Sequence, residues 1–174
     1  MRKGKSVRFL AREQKTNGVI NDRPIALLRA QTSAVAKSII KQLASKSLPV
    51  RQSGFALLHQ LVSVLGGGLE GQIAPLVIRV EAALKSSDSG MSGAATSLKI
   101  EVLAFLGLLF QTHPLKAFVD ELPKLIPIVV AAVREKFNKV AAEAFVTCTE
   151  LVRVLRPVSP AISPIPASIA PRLE

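Results

Sequence analysis

Apolar residues recur along this chain three and four positions apart, in one segment after another, the period of a helix with one buried face. Pro24 suits a first-turn position, with Asp22 as a possible cap, and Leu28, Thr32, Val35, Ile39 and Leu43 carry a first helix to about Ala44. Ser47 reads as the cap of a second helix whose face holds Val50, Gly54, Phe55, Leu58, Leu61, Val62 and Leu65, and Gly66-Gly67-Gly68 stops it. The pattern predicts a third helix from about Glu70 to Leu84 and, beyond a small polar loop from Ser86 to Ala94, a fourth from about Thr96 to Gln111. His113-Pro114 ends the fourth. Pro123 and Pro127 divide the stretch from Leu115 to Val133 into a short piece, a break near Leu122 and a longer piece. A last helix spans about Asn138 to Leu155.

These segments repeat one another. With Val50, Leu98 and Val140 placed in register, the second, fourth and sixth helices match as Phe55/Leu103/Phe145, Leu58/Leu106/Cys148, Leu61/Leu109/Leu151 and Val62/Phe110/Val152. The steps are 48 residues, from Val50 to Leu98, and 42, from Leu98 to Val140. The alternate helices align too: Ile73-Ala74-Pro75-Leu76-Val77 matches Leu125-Ile126-Pro127-Ile128-Val129, and Thr32 to Leu43 matches Ile73 to Leu84. Helix pairs at a period of about 40 to 47 residues predict an all-α, HEAT/armadillo-type solenoid of about three pairs, near 24–65, 70–111 and 115–155, with no β-sheet. Both terminal layers are expected to leave apolar surface uncovered unless the ends of the chain cap them, as in a portion of a longer solenoid.

Composition refines the picture. Of 174 residues 49% are hydrophobic, but only 4% are aromatic, with seven Phe and no Tyr or Trp. That excludes a wholly disordered chain. The longest unbroken apolar runs, Val102–Phe110 and Leu125–Val133, fall well short of the roughly 18 residues a membrane-crossing helix needs, so they read as buried helices. The net charge of +11 is concentrated at one end: residues 1–51 carry +10 and the remainder +1. Residues 1–23 therefore read as a basic, poorly ordered leader, with a faint likeness to a mitochondrial presequence that Glu13 interrupts. Residues 24–156 read as the repeat segment. Five prolines after Arg156 mark 157–174 as a flexible tail.

Candidate chemistry is sparse. Gly66, Gly68 and Gly71 satisfy the dinucleotide fingerprint, with Asp88 near the distance of a ribose-binding acid, but that motif needs a strand before it and the preceding residues are helix-periodic. An inter-helix turn is the expectation. Cys148 aligns with Leu58 and Leu106 and reads as a buried apolar residue, and a single cysteine cannot close an intrachain disulfide, which suits a reducing compartment. His59 and His113 read as structural, and Asp120-Glu121 as a solvated helix start. No catalytic, cofactor or metal constellation emerges. Arg23, Arg29, Lys37 and Lys41 could line one face of the first helix and touch phosphates, so a basic repeat protein binding nucleic acid is the alternative reading, although stacking aromatics are missing.

Four stretches, SAVAKSIIKQLASKSLPVRQSGFALLHQLVSVLGGGLEGQIAPLV (33–77), SLKIEVLAFL (97–106), HPLKAFVDELPKLIPIVVAAV (113–133) and ELVRVLRP (150–157), together closely resemble the cullin-associated, neddylation-dissociated family. The resemblance runs from about Ala26 to Pro157 and corresponds to a few repeats in the N-terminal half of much longer HEAT solenoids. It implies a non-catalytic, cofactor-free protein that binds an unneddylated cullin and its RING subunit. Its role would be exchange of substrate receptors on cullin-RING ubiquitin ligases in the cytoplasm or nucleus, with no membrane or small-molecule substrate. The half of such proteins that displaces the adaptor has no counterpart in these residues. No family motif marks contact residues. The stack itself suggests Arg51, Lys99 and Lys139, at or beside equivalent helix starts, as a basic ladder toward a protein partner.

Overall fold

The computed structural model describes residues 23–85 and 93–156. The chain divides into two compact units, Met1–Gln31 and Thr32–Glu174. The described part of the first, residues 23–31, is the opening half of helix α1 (Arg23–Gln42), where Leu27 is largely exposed. In the second unit follow α2 (Leu48–Leu65), α3 (Ile73–Lys85), α4 (Gly93–Thr112), α5 (Leu122–Val133) and α6 (Asn138–Leu155), with short 3-10 turns at Glu70–Gln72 and Leu115–Ala117. Among the described residues there is no strand. The expected leader, tail, Asp22 cap and most of the loop before α4 lie outside the described residues.

Helix ends follow local chemistry. Gly66 closes α2 in the left-handed conformation (φ 67°) with its N–H on the Val62 carbonyl, a cap that glycine adopts without the strain a side chain would add. Ser47 holds the N-cap position of α2, but its side chain makes no capping bond. Helix α4 begins at Gly93, three residues earlier than the pattern suggested, because Ala94 and Ala95 extend it at little cost. The two aligned prolines play different parts. Pro75 lies in the first turn of α3, whose N–H groups lack intrahelical partners in any case, whereas Pro127 lies inside α5 and costs it a hydrogen bond.

Within the second unit α2 packs on α4 and α4 on α6, while α3 packs on α5, and α3–α4 and α5–α6 meet as pairs. This is the layered order of a helical-repeat solenoid, two pairs deep with α2 stacked before them. The end of α1 joins it through Ala36, Ile39 and Ile40, followed by Leu43 just past the helix. The central helix α4 is apolar nearly all round, and Leu98, Val102, Leu103, Phe105, Leu106, Leu109 and Phe110 are all buried. By length and composition alone α4 could cross a membrane, although Lys99 and Glu101 interrupt its apolar run. Its burial between α2 and α6 accounts for that hydropathy.

Interlayer contacts are specific. Phe105 meets Phe55 of the preceding layer with ring centroids 5.9 Å apart. Fully buried Thr147 of α6 donates its hydroxyl hydrogen toward the Leu103 carbonyl (3.0 Å) and that of Glu143 (2.9 Å). A Cβ on Gly107 would lie 3.9 Å from the Thr147 backbone. The repeat register therefore describes real packing, but it overstates burial at the ends of the stack. Val50 is 40% exposed, Phe145 60% and Val152 63%, although their equivalents in α4 are buried, because helices cover α4 on both sides.

Candidate protein-binding surface

Residues that resembled chemistry turn out to be architecture. Gly66, Gly67 and Gly68 all have positive φ and follow helix α2 rather than a strand, so the glycine fingerprint is a turn. Immediately after it the buried N–H of Leu69 donates to Nε2 of His113 (3.1 Å), 44 residues away. An accepting Nε2 puts the proton of the neutral ring on Nδ1, facing the Thr112 hydroxyl (2.9 Å) and the Leu109 carbonyl (3.3 Å). Thr112 in turn donates to the Leu108 carbonyl. Burial pushes the His113 imidazole below its ordinary value, against the opposing pull of Glu70 and the Leu109 hydrogen bond. His113 thus pins the α2–α3 turn to the end of α4, a role visible in sequence only as a histidine before a proline.

Cys148 is half-buried rather than buried, since it sits in α6 at the outer layer, and burial pushes its thiol up, away from a nucleophilic thiolate. His59 is half-buried on α2. Asp120 is exposed, and Glu121 stands at the N-cap position of α5, paired with Lys124 at 2.9 Å. Among the described residues no three His, Cys, Asp or Glu side chains converge into a metal set.

The described surface has one recess. A groove of about 350 Å³ opens between α3, α4 and α5, floored by Leu84, Pro123, Pro127, Ile128, Ala131 and Ala132. Glu81, Lys85, Lys99, Lys124 and Glu135 rim it. Lys99, whose side chain is 17% exposed, spans it in an ion pair with Glu135. Lys85 pairs with Glu81 at 2.6 Å, so each rim lysine has a carboxylate beside it. The groove is apolar at its base and nearly neutral at its edge, a character suited to a peptide or helix surface rather than to a phosphate.

The three basic residues of the expected ladder are not brought onto one face. Arg51 and Lys99 occupy equivalent positions, one residue after Val50 and Leu98, and both are half-buried. Lys139 precedes Val140, and the resulting offset of two residues turns it about 200° around the helix axis. It is exposed. The position equivalent to Lys99 in α6 is Ala141. Of the other cations singled out, Arg29 in the first unit and Lys37 and Lys41 in the second are exposed.

Comparison with known proteins fits a surface of this kind. A family model described as "CAND1-like, TPR repeats" matches residues 67–173. The 48- and 42-residue steps exceed the 34 of a tetratricopeptide unit and agree better with HEAT or armadillo spacing. The chain is 33% identical to Cullin-associated NEDD8-dissociated protein 1 of Drosophila melanogaster over 162 residues, 88% of this chain and 13% of the relative. It is 40% identical to the Arabidopsis thaliana protein of the same name over 134 residues (77% and 11%) and 38% to Cullin-associated NEDD8-dissociated protein 2 of Mus musculus over 136 (78% and 11%). The chain thus spans little more than a tenth of these relatives. Its repeat register, its all-helical layers and these matches agree: the chain belongs to the CAND1-like repeat family of cullin-associated proteins.

Proposed function

We propose that this chain is a non-catalytic scaffold segment that binds a cullin, with its RING subunit, and takes part in substrate-receptor exchange on cullin-RING ubiquitin ligases. The observation that carries the reading is the match of the family model to residues 67–173, a range that takes in α3 to α6. A cytoplasmic or nuclear setting goes with this role. Contact would draw on the apolar floor between α3 and α5 and on the exposed cations Lys139, Lys37 and Lys41, with Arg51 and Lys99 at the edge. The full exchange reaction would belong to a longer protein, of which these repeats supply part of the grip.

The test is recovery of a named cullin on the tagged chain from a lysate in which neddylation is blocked. Variants carrying Arg51→Glu, Lys99→Glu and Lys139→Glu singly and together follow. Cullin in the pull-down, reduced by the triple variant, is expected. Absence of cullin, with nucleic acid recovered instead and lost steeply between about 50 and 200 mM salt, would overturn the reading in favour of phosphate contact by the basic end.

A further inference from the structure

The odd-numbered helices share a stripe that stacking does not cover. Pro75, Ile78 and Ala82 on α3 match Pro127, Val130 and Arg134 along α5 and its end, and all six are exposed. Ile78 stays 55% exposed although α5 packs on α3 after it, and Val130 stays 46% exposed although α3 packs on α5 before it. A position open in both settings faces neither the layer before nor the layer after, so further repeats stacked on either end of the chain would leave it open. The same positions on α1 hold Ala34, Lys37 and Lys41, again exposed. The exposure thus belongs to the side of the stack and not to its ends.

The chemistry of the stripe is one-sided. On α3 and α5 it is apolar up to Arg134, and at Pro127 it runs into the groove floored by Ile128 and Ala132. Its charges are Lys37 and Lys41 in the register of α1 and Arg134 past the end of α5. Among the described residues none of these three side chains pairs with a carboxylate, whereas Glu81 and Glu135 at the groove are taken up by Lys85 and Lys99. No stripe position on the three helices holds a carboxylate, so the complement is an apolar surface edged by negative charge. We propose that this side of the stack receives an acidic, amphipathic segment of a partner protein, its apolar side chains on Ile78 and Val130 and its carboxylates toward Lys37, Lys41 and Arg134. Packed helices lie about 8–10 Å apart, and a helix rises about 10 Å in seven residues, so a partner helix laid across α3 and α5 sets apolar residues seven apart over the two. The proposal concerns a face and the chemistry of its partner, and it does not depend on the cullin reading.

A fluorescein-labelled peptide of about 21 residues, with leucines at helical spacing on one face and glutamates flanking them, tests this on the full 174-residue chain. Fluorescence anisotropy should show a Kd below about 500 μM, at least about tenfold tighter than for a scrambled peptide of the same composition or an analogue with lysine in place of glutamate. Ile78→Asp with Val130→Asp should weaken binding at least about tenfold. Lys37→Glu, Lys41→Glu and Arg134→Glu together should do the same and flatten its salt dependence. All five side chains are exposed, so helicity by circular dichroism should be unchanged, and either set decides the matter should the other unfold. Peptide binding that both sets leave unchanged overturns the proposal. So does a scrambled or lysine peptide that binds as well as the acidic one. A chain that ignores the peptide and sediments with phosphatidylserine vesicles also overturns it, and makes the face a membrane contact instead.

Discussion

Replacing His113 by leucine keeps an apolar side chain of similar bulk at the end of α4 but removes the acceptor that the buried Leu69 N–H uses. Leu69 is fully buried, so water cannot replace the lost partner, and an orphaned buried donor costs about 1–3 kcal/mol. The edge contact between His113 and Phe118, with centroids 6.2 Å apart, is largely retained by leucine as packing. At pH 8 the variant should therefore unfold with about 1–3 kcal/mol less stability by urea denaturation. For a domain of this size that is on the order of 2–4 °C in Tm per kcal/mol.

Acidity should narrow the difference. Burial holds the folded His113 below the 6.5 of an ordinary imidazole, so between those two values the unfolded chain binds more protons than the folded one. Stability from this histidine is thus complete above pH 6.5 and declines as the pH falls below it. The protonated ring would also turn an Nε2 hydrogen toward the Leu69 N–H, donor against donor. The leucine variant lacks this term, while His59 and every carboxylate are common to both proteins and cancel. Paired urea titrations at pH 8 and pH 5.5, at fixed ionic strength, should show a smaller gap between native and variant at the lower pH. An equal gap at both values would refute the assignment of His113 as a neutral acceptor.

Other substitutions probe the layers separately. Thr147→Val removes a fully buried hydroxyl from between Leu103 and Glu143 carbonyls and should cost about 1–2 kcal/mol in denaturant titration. Gly54→Ala would place a Cβ 2.6 Å from Leu43 Cδ2, so it should destabilise by about 1–3 kcal/mol despite better helix propensity. Pro127→Ala restores a backbone donor inside α5 and should raise Tm, by the equivalent of about 1–3 kcal/mol. Exchanging Lys99 and Glu135 with one another should leave stability within about 1 kcal/mol of native, whereas Glu135→Lys alone, facing Lys99, should lower it more at low salt than at high salt.

The sequence displayed periodicity well because helices that bury a face against their neighbours must repeat it. The positions matching Val50, Phe55, Leu58 and Val62 carry the layers, and α6 (Asn138–Leu155) has the predicted bounds. Exposed apolar surface on the terminal layers is expected of such a stack, but the positions that carry it could not be read from the register. Leu103 and Phe145 are equally apolar and in the same register, yet one is sealed by α6 and the other is 60% exposed, a difference that lies in the neighbour and not in the residue. The partners of polar residues were not legible for the related reason that they are distant. His113 and Leu69, and Thr147 and Leu103, are each 44 residues apart, and no local pattern joins a hydroxyl or imidazole to a carbonyl or N–H one repeat away. Rotation was not legible either: an offset of two residues is negligible along the sequence but turns Lys139 about 200° around its helix from the position of Lys99. In a stacked repeat the period fixes the core, while the surface depends on rotation about each axis and on what lies one layer away. What that surface could bind is therefore legible in the sequence mainly through kinship, and residue by residue only after the layers are placed.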